Sequence, residues 1–529
     1  MKRYLLTFLL VLGLASPSLA ATRYKRAIFI NATGGLNTNA STLMVPKEDL
    51  THATNVEFTL LGIREKRRGS SKLNSLPIVQ GHSVTGLFEW EKSTGSRNFY
   101  IASTTGIIHQ DVSGVFTERA AGFSTNANRR WTWANWLGTR LVGCNGDTFA
   151  QTTTDGSAWT TLTTTPATCL APIAHRRRLF ILEANSSIVY YSALNDPTDF
   201  AGAGSGSFQI ASTEGGFLTG VASHLGVLVI FKERSIHILY GDSPTSTDPD
   251  PFVLKPLVIG VGAVSHNSIQ TVTGQEGTDL LFASKDGIVS LKNIQEFGDF
   301  RPSLITEKIK PDFRGLSSSR LKLSSAAFYP RKGQYYFAAA KSGSSENDII
   351  LKYTILNKAW SIVHSSNAHN ILGVKRDTAT EDLIVYSGDD DGYVWQLDDN
   401  SFNDDGVAFE ASYSTPWLDM GRPSIKKSFG PKLLIFHEAV GDYNLTVSWS
   451  IDFATPTSTT INMSGGCAAL GSFILGQDRL CVSQDITTTV VPVSIRGDGY
   501  WIKFDFANSI VDERFSIFGF ALEYAEMEE

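Results

Sequence analysis

Cysteine is scarce. Only Cys144, Cys169, Cys467 and Cys481 occur in 529 residues, too few for a disulfide-built scaffold, and none forms the C-x-x-C pair of a zinc or thiol-exchange site. They read as free, buried thiols, although Cys467 and Cys481 lie close enough in sequence to bridge a hairpin in an oxidising compartment. Positive charge is also in deficit. Lys and Arg total 46 against 52 Asp and Glu, a net charge of −6, which excludes a surface built throughout to neutralise phosphates but leaves room for a local basic lining. Long helix-period patterns are nearly absent, so a helical bundle is excluded. The spacings G-x-S-x-G, H-E-x-x-H, G-x-x-x-x-G-K-[ST] and a strand-to-helix G-x-G-x-x-G are missing, which removes the common hydrolase, zinc-protease and nucleotide signatures. The ten histidines stand singly and read as core or surface residues, with no metal or cofactor expected.

What is present is apolar and strand-like. Hydrophobic residues make up 42% of the chain and aromatics 11%, enough to bury one large core or two. At the N-terminus, Lys2 and Arg3 precede an apolar run over 4–14, and Ser18-Leu19-Ala20 supplies a small-residue cut site. Residues 1–20 therefore resemble a secretory signal, too short to span a membrane comfortably.

Short runs of Val, Ile, Phe, Tyr and Leu recur between Gly, Asp, Asn and Ser turns, which predicts strands. Between residues 84 and 400 they group into seven three-run units, beginning at 84, 131, 171, 218, 268, 326 and 371. Such a period matches propeller blades. The expected fold is all-β: a six- or seven-bladed β-propeller over 84–405, preceded by an arm and closing strand over 21–83 and followed by a β-sandwich over 406–529, where the alternating runs lengthen. The acidic stretch 398–405, DDNSFNDD, reads as the linker. The 153–159 stretch, TTDGSAW, resembles the Asp-box hairpin of sialidase-like propellers, a folding device without chemistry of its own.

Two sets of charged residues are candidates for a site. The acids Asp389, Asp390 and Asp391 could in principle form a hydrolytic pair, but Asp and Gly between two apolar runs are the expected hairpin residues. Ser387, Asp389, Asp391 and Asp398 fit calcium-loop spacing poorly, with Ser first and Asp last. The basic runs Lys66-Arg67-Arg68, Arg129-Arg130 and Arg176-Arg177-Arg178 are either solvated turns or a cationic rim that meets DNA or an acidic partner.

Several stretches resemble the tail nozzle and hub family of podoviruses, which includes the packaged-DNA stabilisation proteins of P22-like phages. They are Gly34-Gly35-Leu36-Asn37-Thr38, Val45-Pro46, Asn55-Val56 with Phe58, and Lys66-Arg67-Arg68-Gly69 near the start; 190–200 (YYSALNDPTDF), 228–236 (LVIFKERSI), 259–263 (IGVGA) and 283–288 (ASKDGI) in the middle; and 415–419 (TPWLD) and 448–452 (SWSID) near the end. The resemblance implies a non-enzymatic virion protein without cofactors, assembled as a hexameric ring below portal and adaptor. Such a ring prolongs the channel for double-stranded DNA, retains the genome and carries fibres or spikes. The signal-like N-terminus departs from this picture, since tail proteins assemble in the cytoplasm. The competing expectation is a secreted propeller that binds or hydrolyses glycans, and a third is a periplasmic or surface scaffold.

Overall fold

The computed structural model describes residues 24–527 apart from 31–32, 60–61, 211–214, 246–249, 276, 295–298, 439–440, 442 and 464–487. Strand accounts for 52% of the structure and helix for 3%, so regular backbone hydrogen bonding runs mainly between strands.

Six small four-stranded antiparallel sheets form a propeller. In chain order their inner strands are Val84–Glu91, Thr132–Trp136, Cys169–His175, Leu218–His224, Gln270–Gly274 and Ile371–Arg376. A seventh four-stranded unit, Ser325–Tyr329 to Ala359–His364, lies between the last two of these and belongs to a larger sheet. Small apolar clusters join consecutive units. Trp90 and Leu141 link the first and second; Val142 and Leu179 the second and third; Phe180 and Ile230 the third and fourth; Phe231 and Phe282 the fourth and fifth. Ala327 and Val385 then lead to the last sheet, and Val84 with Val394 closes the circle.

Burial explains the sequence pattern. The second strand of each unit lies between two neighbouring sheets, so both faces are apolar; every residue of Val227–Lys232 is buried, as is every residue of Gln334–Ala339. Outer strands such as Val115–Ala120 keep one face in water and carry Thr, Glu and Arg. Closure of the ring is tight. A Cβ on Gly388 would come within 2.4 Å of Val84 Cγ1, and one on Gly373 within 2.8 Å of Leu87 Cβ, so a larger residue at either position would push the last sheet from the first.

The last sheet takes its fourth strand from the N-terminal arm: Ser70–Lys72 pairs with Val394–Leu397, with Trp395 opposite Lys72. Other arm strands enter the C-terminal unit. His52–Thr54 bridges Ala359–His364 and Ala411–Ser414, which makes one nine-stranded sheet that runs from the propeller through Ile502–Asn508 and Asn444–Ile451 to Thr457–Asn462. A seven-stranded sheet is built around Lys427–Glu438 and Ser516–Glu526 and includes Lys25–Ile30, Val56–Phe58 and Arg64–Lys66. The two sheets share a core that includes Leu433, Phe504, Phe520 and Val447, the geometry of a β-sandwich.

The stretch 398–405, read as the linker, is pinned by side-chain contacts: Asp398 binds Lys332 and Tyr329, and Asp404 binds Arg67. The cysteines are not all free, because Cys144 and Cys169 form a disulfide between the second and third sheets, Cα atoms 5.2 Å apart. Spacing could not reveal this pair, since the packing of one sheet against the next rather than sequence proximity brings the two together. Cys467 and Cys481 lie outside the described residues.

Candidate functional site

The three basic runs fold into three separate places. Lys66 and Arg67 are buried at the junction of arm, propeller and sandwich. Lys66 Nζ donates to Asn508 Oδ1 and to the Ile510 carbonyl, both at 2.9 Å, and burial draws its pKa down to about 8. Arg67 grips Asp404 with two hydrogen bonds of 2.9 and 2.6 Å, donates to Asn55 Oδ1 at 2.9 Å, and lies 3.7 Å over the Phe409 ring. In this fold neither side chain is free to meet a channel or partner. Arg68 is half-buried and donates to Asn400 Oδ1. The reason is electrostatic: a buried cation is tolerated where carboxylate and carbonyl acceptors surround it, and here they come from residues hundreds of positions away.

Arg176 and Arg177 occupy the tight turn after Cys169–His175, both with positive φ and both exposed. Arg176 pairs with Asp250 at 2.5 Å. Arg178 is different. It is buried and donates to the carbonyls of Asp242, Ser192 and Gly204 at 3.0, 2.7 and 2.6 Å, so it ties three loops together.

Arg129 and Arg130 lie on the other face, immediately before the inner strand Thr132–Trp136. They line a cavity of about 690 Å³ where the inner strands of consecutive units begin. Arg234, Lys285 and Lys322 line it too; among the described residues Glu233 is the one carboxylate in the wall, and Arg129 is paired with Asp147 at 2.7 Å. Arg130 is only 7% exposed. Its Nε donates to the Asn370 carbonyl at 3.1 Å, and Nη1 to the carbonyls of Ala127 and Arg129 at 2.9 and 3.0 Å. Burial lowers its pKa to about 10, so the guanidinium remains charged at neutral pH. His266 is held neutral, its pKa drawn to about 4 by burial, and its Nδ1 accepts from Val221 N at 3.4 Å, which leaves the proton on Nε2.

Sequence reasoning found Arg129 and Arg130 but missed Arg234, Lys285 and Lys322, which are scattered singly along the chain. The available signal was positional: Arg234 and Lys285 occupy the same turn, between second and third strands, in successive units.

The acidic cluster builds a hairpin. Asp389 is buried; its Oδ1 accepts from the backbone N–H groups of Asp391 and Tyr393, and its Oδ2 from Trp395 Nε1 at 2.8 Å. Asp398 goes to Lys332 instead, so the loosely spaced calcium set does not converge. Among the described residues no group of three or more His, Cys, Asp or Glu is placed to hold a metal ion. The Asp-box-like turn behaves likewise: Asp155 Oδ1 accepts from Ser157 N and Ala158 N, and Trp159 packs edge-on against Tyr100. A second cavity, about 810 Å³, is flanked by Asp279, Glu307, Lys308 and Lys358, which are mixed in sign.

The chain is a β-propeller protein with a fused sandwich. No protein family matches it, and no curated protein does.

Proposed function

We propose that the chain is a structural subunit of the tail nozzle or hub of a short-tailed bacteriophage, acting mechanically and without making or breaking bonds. The observation that supports this reading is the nine-stranded sheet that runs unbroken from propeller to sandwich, stitched by an arm strand between the two. A subunit that carries load in a closed ring needs such rigidity, because a flexible linker would let the two parts turn independently under pressure. In this reading six copies close through heterologous contacts, bind portal or adaptor proteins and fibres or spikes, and surround the packaged DNA. Native mass of the purified chain and of assembled tails tests it. A hexamer is expected, and a strict monomer inside a virion would overturn it.

A second reading, an exported glycan-binding propeller, is favoured by the Cys144–Cys169 disulfide together with the signal-like residues 1–20. It predicts a monomer that retains sugars on a glycan array.

A further inference from the structure

We propose that the axial cavity of the propeller is a binding site for a small polyanion bearing several phosphate groups. Five cations, Arg129, Arg130, Arg234, Lys285 and Lys322, line a space of about 690 Å³; Arg129 is paired with Asp147 at 2.7 Å, and among the described residues Glu233 is the one carboxylate in the wall. This inverts the sign of a chain whose net charge is −6, and the volume lies within the range of small-ligand pockets. The inference is independent of ring assembly.

Two features show a built site rather than scattered surface charge. Arg130 is buried with no carboxylate at ion-pairing distance among the described residues; carbonyls hold its Nε and Nη1, and Nη2 makes no hydrogen bond. A buried guanidinium without a counter-ion is costly, and an anion in the cavity would supply the missing charge. Asn145, 1% exposed, also lines the cavity. Its Oδ1 accepts from Asp147 N, Thr148 N and Thr148 Oγ1, which fixes the amide, and its Nδ2 is a buried donor without a partner. A buried orphan donor calls for an acceptor. His266 adds a neutral N–H donor through the tautomer that Val221 imposes.

Arg234, Lys285 and Lys322 are exposed at the mouth and have no ion-pair partner among the described residues. The deep Arg130 and Asn145 therefore provide directed donors and the mouth provides steering and extra phosphate contacts.

The test is isothermal titration of the full chain with tripolyphosphate at low salt. Binding that weakens as salt rises is expected. The triple variant Arg234→Ser, Lys285→Ser, Lys322→Ser, at positions whose side chains make no hydrogen bond or ion pair among the described residues, should weaken it about 100-fold or more. The control Arg176→Ser, Arg177→Ser, on the opposite face, should leave it unchanged. Equal binding of tripolyphosphate and ATP would identify the phosphates alone as the recognised groups, and tighter binding of ATP a nucleotide; either supports the site. Absence of wild-type binding, an unaffected triple variant, an equal loss in the control, or capture of a single-stranded oligonucleotide but not tripolyphosphate would each overturn it.

Discussion

Replacing Glu57 by Gln removes one carboxylate from the buried network that locks the arm onto the propeller. Glu57 lies 2.5 Å from Lys352 Nζ and 2.7 Å from Lys332 Nζ, with its side chain 8% exposed and that of Lys352 4%. Lys332 also binds Asp398, so it keeps one carboxylate, whereas Lys352 loses its one carboxylate partner among the described residues and keeps the neutral amide oxygen of the new Gln and the face of the Tyr336 ring, 4.6 Å away. An ammonium left buried without a counter-charge costs about 3–5 kcal/mol, and this is the loss expected in urea unfolding followed by the fluorescence of the ten tryptophans. The paired replacement Glu57→Met with Lys352→Met removes both charges at nearly constant volume and should restore stability to within about 1 kcal/mol of the original chain. The pH dependence follows with a definite sign. Burial alone would raise the Glu57 pKa, but Lys332 and Lys352 outweigh it and hold the carboxyl well below the usual range. Its contribution is therefore complete above about pH 5 and declines as pH falls below about 4. A loss under 1 kcal/mol in Glu57→Gln, or a paired variant as weak as the single one, would refute this account of the lock.

Changing both Cys144 and Cys169 to Ala should lower stability by about 3 kcal/mol, from the loop of 25 positions that their bond closes; equal urea midpoints with and without reductant in the original chain would contradict the bond. Arg178→Ser should destabilise the third sheet by about 2–4 kcal/mol through three orphaned carbonyls, whereas Arg176→Ser with Arg177→Ser should shift stability by less than about 0.5 kcal/mol and, if that turn meets DNA, alter genome ejection. Asp389→Asn is expected to abolish no hydrolytic activity; turnover of a reporter glycoside that disappears in this variant would favour the glycan reading. Peptide mass mapping of the mature protein separates the fates of residues 1–20: a clean start at Ala21 marks export, and intact N-terminal peptides mark cytoplasmic assembly.

The inner three strands of every unit were legible because the second strand of each is squeezed between neighbours and must be apolar throughout; Val227–Lys232 is such a run. The outer strands were not. Thr160–Leu162 is three residues long and largely exposed, and Gly206–Gln209 follows a Gly-rich return, so neither carries a periodic signal. The arm was legible only as an arm. His52–Thr54 gives no hint that it joins two sheets, because its partners, Ile362 and Ser412, lie far away in sequence. The same cause misled the reading of Lys66 and Arg67, whose charges suggested a surface while distant Asn508 and Asp404 made burial tolerable. Arg129 and Arg130 were recognisable as a pair, but the cavity they share with Arg234, Lys285 and Lys322 is a product of circular arrangement, which local pattern does not encode.

The strand Ser70–Lys72 completes the last sheet, and the neighbouring Arg67 meets Asp404 across 337 positions of sequence. During synthesis the arm leaves the ribosome long before its partners exist. The earlier sheets can form in sequence as they emerge, while Val394–Leu397 must wait with a bare edge until the beginning of the chain returns. Closure of so long a loop is slow, and an unpaired edge in the interval is exposed to other chains. A fragment that starts at residue 84 would keep that edge permanently open, so the propeller cannot be excised at the boundary its repeats suggest; the shortest excisable ring must carry Ser70–Lys72 with it.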